Sequence, residues 1–242
     1  MTIKDHLIDI YIPSYNCKNQ ITKVLEKIFP HKELFNNIFI IDNCSTDGTV
    51  DNARTKQQIY GDKLNILIND KNLGFGGSHK IIFDNVLKKD IGYVLVLHGD
   101  DQADINDIVP YIKNREYIKN NALLGSRFMY DSKLINYSFP RRIGNIFFNI
   151  LYSIVLRKKI SDLGSGINLY SKKCFKDLEY KKFNNDLTFN YQNTINIFKN
   201  LNNLKFFPIS WREEDQISNV RIIKQTLTIF NILIKYLFIR KI

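Results

Sequence analysis

Four short apolar runs mark the first hundred residues, and each ends in a polar turn: Leu7 to Ile12, Ile38 to Ile41, Leu64 to Ile68 and Tyr93 to Leu97. Between them the apolar positions fall at helical spacing, over Gln20 to Phe29, from Thr49 onward, and over His79 to Lys88. Ser45 or Thr46 is placed to cap the second of these helices. A strand–helix alternation of this kind predicts an α/β domain, a largely parallel sheet covered by helices. In an open sheet of that type ligands bind at the carboxyl ends of the strands, where Asn16, Asp42, Gly74 and Asp100 emerge.

The second half is less regular. From Arg141 to Lys158 apolar residues stand at 143, 146, 147, 150, 151, 154 and 155, a helical stripe widened by Phe148, Tyr152 and Leu156. From Thr226 to Ile239 only Thr226, Thr228, Asn231 and Lys235 interrupt an apolar tail that leads into Arg240 and Lys241. Each segment reads either as a helix packed on the core or as one lying in a membrane interface. Neither reaches the roughly 18–20 apolar residues needed to span a bilayer. The expected organisation is one catalytic-size domain over residues 1–221 and a helical C-terminal tail over residues 222–242.

Composition narrows the partner more than the fold. A formal net charge of +11 calls for an anionic partner: a phosphorylated substrate, an acidic membrane surface or nucleic acid. No nucleic-acid recognition motif accompanies the charge, so a nucleic-acid partner is not expected. Cys17, Cys44 and Cys174 are widely spaced, which indicates neither a disulfide framework nor a zinc site. The amino terminus lacks the uninterrupted apolar core of a signal peptide, so a cytoplasmic protein is expected.

The chemistry concentrates at the end of the fourth run, Y-V-L-V-L-H-G-D-D-Q-A-D, Tyr93 to Asp104. A strand apolar throughout is buried on both faces. Acids at its carboxyl end suit a divalent cation held against a diphosphate, and equally a helix N-terminus favoured by its dipole. G-F-G-G at Gly74 is not the dinucleotide fingerprint, because it follows the third strand and His79 stands where the last glycine belongs.

Taken as an ordered series, I-P-S-Y-N, I-D-N-C-S-T-D-G-T, N-L-G-F-G-G, H-G-D-D-Q, L-G-S-R-F, S-D-L-G-S-G-I-N-L and F-N-N-D-L-T-F-N-Y-Q resembles the family 2 glycosyltransferases. The likeness is to the branch that makes polyprenyl- and dolichyl-phosphate sugars, and it spans about residues 7–221. It implies the GT-A fold, a Rossmann-like nucleotide-diphospho-sugar transferase. It also implies an inverting transfer, with a divalent metal (Mn²⁺ or Mg²⁺) as cofactor.

The resemblance carries roles to individual positions. Pro13 and Tyr15 fall in the segment that frames the nucleotide base, and Asp42 on the acid that contacts the base or ribose. Asn43 replaces a second acid common in the turn of Asp42, and Asn72 and Gly74 fall among the donor-binding residues. Asp100 matches the metal-bridging carboxylate of the family's D-x-D, Gln102 a frequent companion, and His98 replaces the first Asp. Arg127 falls where a basic residue stands near the acceptor or the leaving diphosphate, and Asp162 and Asp186 fall on the acceptor side. There a carboxylate must take a proton if the acceptor is a sugar hydroxyl. A polyprenyl phosphate is already anionic, and Arg127, Arg141, Arg142, Arg212 and Arg221 are then the residues to position it.

The expected function is therefore transfer from a nucleotide-diphosphate sugar donor to a polyprenyl-phosphate or cell-surface glycan acceptor, with peripheral contact at the inner face of the membrane. The alternative is a catalytically weak nucleotide-sugar-binding relative, prompted by His98 and Asn43.

Overall fold

The computed structural model describes residues 3–214 and 222–239. In chain order the main elements begin with strand β1 (Ile8–Ser14), helix α1 (Lys18–Ile28), β2 (Ile38–Asp42), α2 (Thr49–Thr55), the single turn α3 (Gln57–Tyr60) and β3 (Leu64–Ile68). Helix α4 (Gly74–Lys88), β4 (Tyr93–Leu97), the short helices α5 (Val109–Lys113) and α6 (Glu116–Lys119), and β5 (Ala122–Ser126) follow. The remainder is β6 (Lys133–Ile135), α7 (Phe139–Leu156), β7 (Ile167–Ser171), α8 (Phe189–Asn200), β8 (Leu204–Pro208), β9 (Ser210–Arg212) and α9 (Ile222–Ile239).

The seven-stranded sheet runs β3-β2-β1-β4-β7-β5-β8. β3, β2, β1 and β4 are mutually parallel, as the alternation predicts. β7 departs from it, entering antiparallel between β4 and β5, while β8 runs parallel to β5. Neither β5 nor β7 is a clean apolar run, since Gly125 and Asn168 interrupt them. Asn168 is nonetheless buried, because its Oδ1 accepts the Gly125 N–H at 3.2 Å and so supports the junction that its polarity would otherwise weaken.

Alternation along each strand sends side chains into two cores. Ile8, Ile10 and Ile12 of β1 and Leu95 and Leu97 of β4 meet Ile21, Val24, Leu25 and Ile28 of α1 on one face. Tyr11, Val94 and Val96 meet Ile82, Phe83 and Val86 of α4, Phe189 and Ile195 of α8, and Tyr152 of α7 on the other. Ile229, Ile232 and Leu233 of α9 belong to the same second core, and the Tyr152 hydroxyl donates to the Ile229 carbonyl at 2.7 Å.

The α7 stripe faces differently from what its regularity suggests. Ile143, Phe147, Ile150 and Ile154 are exposed, whereas Phe148, Leu151, Tyr152, Val155 and Leu156, mostly the residues that widen the stripe, pack on the core. Among the described residues no helix is long and apolar enough to cross a membrane.

Candidate active site

The tips of β1 and β2 lie side by side, with Ser14 opposite Asp42, and the loops beyond them are tied together. Asn16, in the left-handed region at φ 48°, donates its N–H to Ser45 Oγ and accepts from the Thr46 N–H on Oδ1. Asp47 Oδ2 accepts the Lys18 N–H at 2.9 Å, and its Oδ1 takes both the N–H and the hydroxyl of Thr49. Ser45 Oγ is thus spent on the β1 loop. The residue that caps α2 is Gly48 rather than Ser45 or Thr46, and Asp47 one position before it satisfies the Thr49 N–H of the first turn.

Asp42 ends β2 with its side chain fully buried. Its Oδ2 accepts the Ser45 N–H at 2.9 Å, while Oδ1 has no partner among the described residues. Gly99 packs so tightly on this corner that a Cβ there would lie 2.3 Å from Ser14 Oγ. Pro13 accepts the Gly99 N–H at 3.0 Å, and Tyr15 stands half exposed at the rim.

Asn43 uses both ends of its amide. Its Nδ2 donates to Asn72 Oδ1 at 2.8 Å, and its Oδ1 accepts from Asn69 Nδ2 and from the Leu73 N–H. Asn72 Oδ1 also accepts the Gly74 N–H at 2.8 Å, which starts α4. Gly74 lies at φ +73°, and a Cβ on it would sit 2.5 Å from the Asn185 carbonyl oxygen; one on Gly76 would sit 2.2 Å from that of Asn184. Gly74 and Gly76 therefore admit the backbone of the 183–188 loop, a reason that no local spacing reveals. The Gly76 N–H donates to the Asn185 carbonyl, and Lys80 Nζ binds Asn185 Oδ1. Asp186, in that loop and exposed, accepts the N–H and hydroxyl of Thr188 on Oδ1, at the head of α8.

The three acids after β4 separate. Asp101, at φ 60° and 1% exposed, pairs with Lys27 Nζ at 2.8 Å and with the Arg212 guanidinium of β9. Asp104 caps the following turn through the Asn106 N–H at 2.9 Å. Asp100 accepts the Gln102 N–H on Oδ1 at 3.2 Å, and burial pushes its carboxyl up to about 6, against the effect of that bond.

His98, half-buried, gives its N–H to the Gly166 carbonyl at 2.9 Å. Its ring lies 5.2 Å from that of Phe75 and 5.6 Å from that of His79, which is 5.3 Å from Phe189. The β4 tip and the heads of α4 and α8 therefore meet around a pair of imidazoles. Burial, then the Arg127 charge, hold His98 down to about 4; burial, then His98, hold His79 down to about 3, so both are neutral at neutral pH. The His79 Nδ1 lies 2.9 Å from the Phe75 carbonyl oxygen and as the donor fixes that tautomer.

Arg127 and Asp162 form a buried fork. Nε donates to Oδ2 and Nη2 to Oδ1, both at 2.8 Å, and the Arg127 and Gly164 N–H groups, each at 3.0 Å, add two more donors to the same carboxylate. Four donors fill the acceptor capacity of Asp162. The Arg127 guanidinium also faces the Trp211 ring at 5.0 Å. An open cavity of about 360 Å³ lies beside it, lined by Arg127, Phe128, Met129, Tyr130, Ser132, Leu134 and Arg142. Arg141 turns instead to Glu213, at 2.6 and 2.7 Å, and Arg221 lies outside the described residues.

Among the described residues no group of three or more His, Cys, Asp or Glu side chains surrounds one ion position. Asp100, with Gln102 and His98 two residues to either side, is the carboxylate that would hold a divalent cation at the end of β4.

Residues 9–179 match the family described as Glycosyl transferase family 2. A UDP-N-acetylglucosamine–dolichyl-phosphate N-acetylglucosaminyltransferase of Methanococcus voltae is 22% identical over 185 residues, 72% of this chain and 73% of that protein. An uncharacterised protein of Methanocaldococcus jannaschii is 24% identical over 184 residues, 74% of this chain and 72% of that one. Glucosyl-3-phosphoglycerate synthase of Mycobacterium tuberculosis, solved with Mn²⁺, uridine diphosphate and phosphoglyceric acid, superposes at a TM-score of 0.69 with 12% identity, covering 96% of this chain and 78% of that one. TarS of S. aureus superposes at 0.61 with 16% identity over 85% of this chain, which spans 60% of the TarS chain solved. Fold and matched motifs agree with one another, and the chain belongs to glycosyl transferase family 2.

Proposed function

We propose that this glycosyltransferase moves a sugar, with inversion, from a nucleotide-diphosphate sugar to a polyprenyl-phosphate acceptor. The observation that carries the donor half is Asp42 Oδ1, a buried carboxylate oxygen without a partner among the described residues. An unsatisfied group of this kind costs about 1–3 kcal/mol or more when charged, which a base N–H or ribose hydroxyl recovers on binding. Pro13 and Tyr15 frame that base, and Asn72 and Gly74 shape the donor turn.

Asp100, flanked by Gln102 and His98, would hold a divalent ion, Mn²⁺ or Mg²⁺. Such an ion supplies charge neutralisation for the leaving group. The cavity beside Arg127 and Arg142 receives the acceptor phosphate, with Arg127 fixed by Asp162 and Arg142 contributing a second cation. The Methanococcus relative, named for transfer from UDP-N-acetylglucosamine to dolichyl phosphate, supports this assignment. An anionic acceptor needs no base. For a glycan hydroxyl the base is Asp186, exposed at the head of α8, because the Asp162 carboxylate is filled by its four donors. The same reading puts the enzyme in the cytoplasm at the inner face of a membrane, where a lipid acceptor is presented.

A thermal-shift screen of UDP-, GDP-, dTDP- and CMP-sugars with Mn²⁺ or EDTA tests the donor half, followed by transfer onto a polyprenyl phosphate read by mass spectrometry. A metal-dependent shift with one donor class and a new glycolipid are the expected results; no shift with any donor overturns the reading. A second reading, a nucleotide-sugar-binding relative with little turnover, draws on His98 in place of an acid. Donor binding without transfer or hydrolysis would decide for it.

A further inference from the structure

The rows of apolar side chains that α7 and α9 turn away from the core have no use in the site described above. On α7, Phe139, Ile143, Phe147, Ile150 and Ile154 recur at steps of three and four, one stripe of a helix, with Phe139 70% and Ile154 68% exposed. On α9, Leu227, Phe230 and Ile234 are likewise exposed, while Ile229, Ile232 and Leu233 between them are buried. The two helices are packed together by their inner faces, through the bond from Tyr152 to the Ile229 carbonyl. An exposed apolar stripe along the length of α7, with more exposed apolar side chains on the helix bonded to it, marks something that covers it.

Charge identifies the cover. Residues 136–161 contain five cations and no acid, and so do residues 220–242. Arg142, Arg157 and Lys159 are exposed at the two ends of α7, and Lys235 is exposed on α9. A second copy docking through the same face would bring these like charges together across a twofold axis, which opposes association. An anionic bilayer accepts both parts at once: the aromatic and branched side chains enter the acyl boundary while the cations stay among the headgroups. We infer that the outward faces of α7 and α9 are a membrane-docking surface, which seats the enzyme on anionic lipid by insertion of Phe147 and its row without spanning. Arg142 lines both the end of this surface and the proposed acceptor cavity, so the inference deepens the lipid-acceptor reading and rests on it for its purpose.

The test is flotation of the full chain with vesicles of phosphatidylglycerol and phosphatidylcholine that contain no polyprenyl phosphate, against phosphatidylcholine alone. Binding is then independent of the acceptor, and a chain that floats but transfers nothing sinks the functional reading and leaves this one standing. The wild type should float with the anionic vesicles and less with the neutral ones. Phe147→Ser with Ile154→Ser should lower partition about tenfold or more, with circular dichroism unchanged. As a reporter that keeps the surface apolar, the indole introduced by Ile150→Trp should be quenched by brominated lipid. A wild type that stays at the bottom of the gradient, a double variant that floats equally well, or an Ile150→Trp variant whose added fluorescence is not quenched overturns the inference. So does a concentration-dependent dimer, without flotation, that the same serines dissolve.

Discussion

Asp42, Asp100 and Asp101 are three acids of one residue type with three fates, set by what surrounds each. Asp101 meets Lys27 and Arg212 and is an internal strut. Asp42 has one oxygen bound and one waiting. Asp42→Ala should therefore weaken free nucleoside diphosphate about ten- to a hundredfold, the cost of one charged hydrogen bond. Calorimetric titration in EDTA measures this without the metal, and an unchanged dissociation constant removes Asp42 from the site. Asp100 is raised by burial to about 6, so protons compete with a cation there. Metal affinity should be flat above that pH and fall about tenfold per unit below it, as one proton displaces one ion. His98 titrates near 4 and does not account for a loss between pH 5 and 7. Titrating Mn²⁺ by electron paramagnetic resonance in the presence of UDP, His98→Ala should keep the midpoint near that of the wild type. A midpoint that moves with His98 makes the imidazole a ligand.

Elements owe their positions here to loops that carry polar anchors. The 183–188 loop lies on the head of α4 only because Gly74 and Gly76 leave room, so Gly76→Ala should push it off. Since that loop carries Asp186, the base only a hydroxyl acceptor needs, Gly76→Ala should lower transfer to a glycan hydroxyl more than transfer to a polyprenyl phosphate; an equal fall with both acceptors refutes the coupling. The Arg127–Asp162 fork joins the end of β5 to the turn before β7. Asp162→Asn leaves a buried guanidinium without its counter-charge, for an expected loss of about 3–5 kcal/mol in urea unfolding. A loss below about 1 kcal/mol would show that the pair contributes little. Helix α9 buries Ile229, Ile232 and Leu233, each worth about 1.5–3 kcal/mol. Deletion of residues 222–242 should lower Tm sharply and expose the second core, whereas an unchanged Tm would make the tail a separate appendage.

At the scale of the whole molecule, donor binding is a stability measurement. A ligand at a hundred times its dissociation constant adds about 2.7 kcal/mol. For a domain of this size that is a rise in Tm of roughly 5–10 °C, and a matched donor that produces none lies outside the site. The half of the molecule that binds the nucleotide was the more legible half. β3 and β4 fall on the residues that the apolar runs mark, and β1 and β2 within two residues of their ends. Short apolar strands announce themselves by composition, both where they are buried on two faces, as in β2 and β4, and at the edge, where Leu67 and Ile68 of β3 are exposed. The antiparallel insertion of β7 did not, because its buried Asn168 looks like a break until Gly125 is seen beside it.

By itself the sequence determined the α/β alternation, the family, and the set of chemically capable residues at the strand ends, since periodicity and ordered motifs are local properties of the chain. Tertiary structure alone decided how those residues divide the work. Whether an acid serves the site or a strut depends on the Lys27 and Arg212 side chains, which come from 74 and 111 residues away. Whether Asp162 can take a proton depends on how many donors converge on it. Which side of an apolar helix meets the core depends on its neighbours, and α7 is apolar enough all round that spacing could not choose. Long-range neighbours set burial and electrostatics, and these fix what each side chain can do.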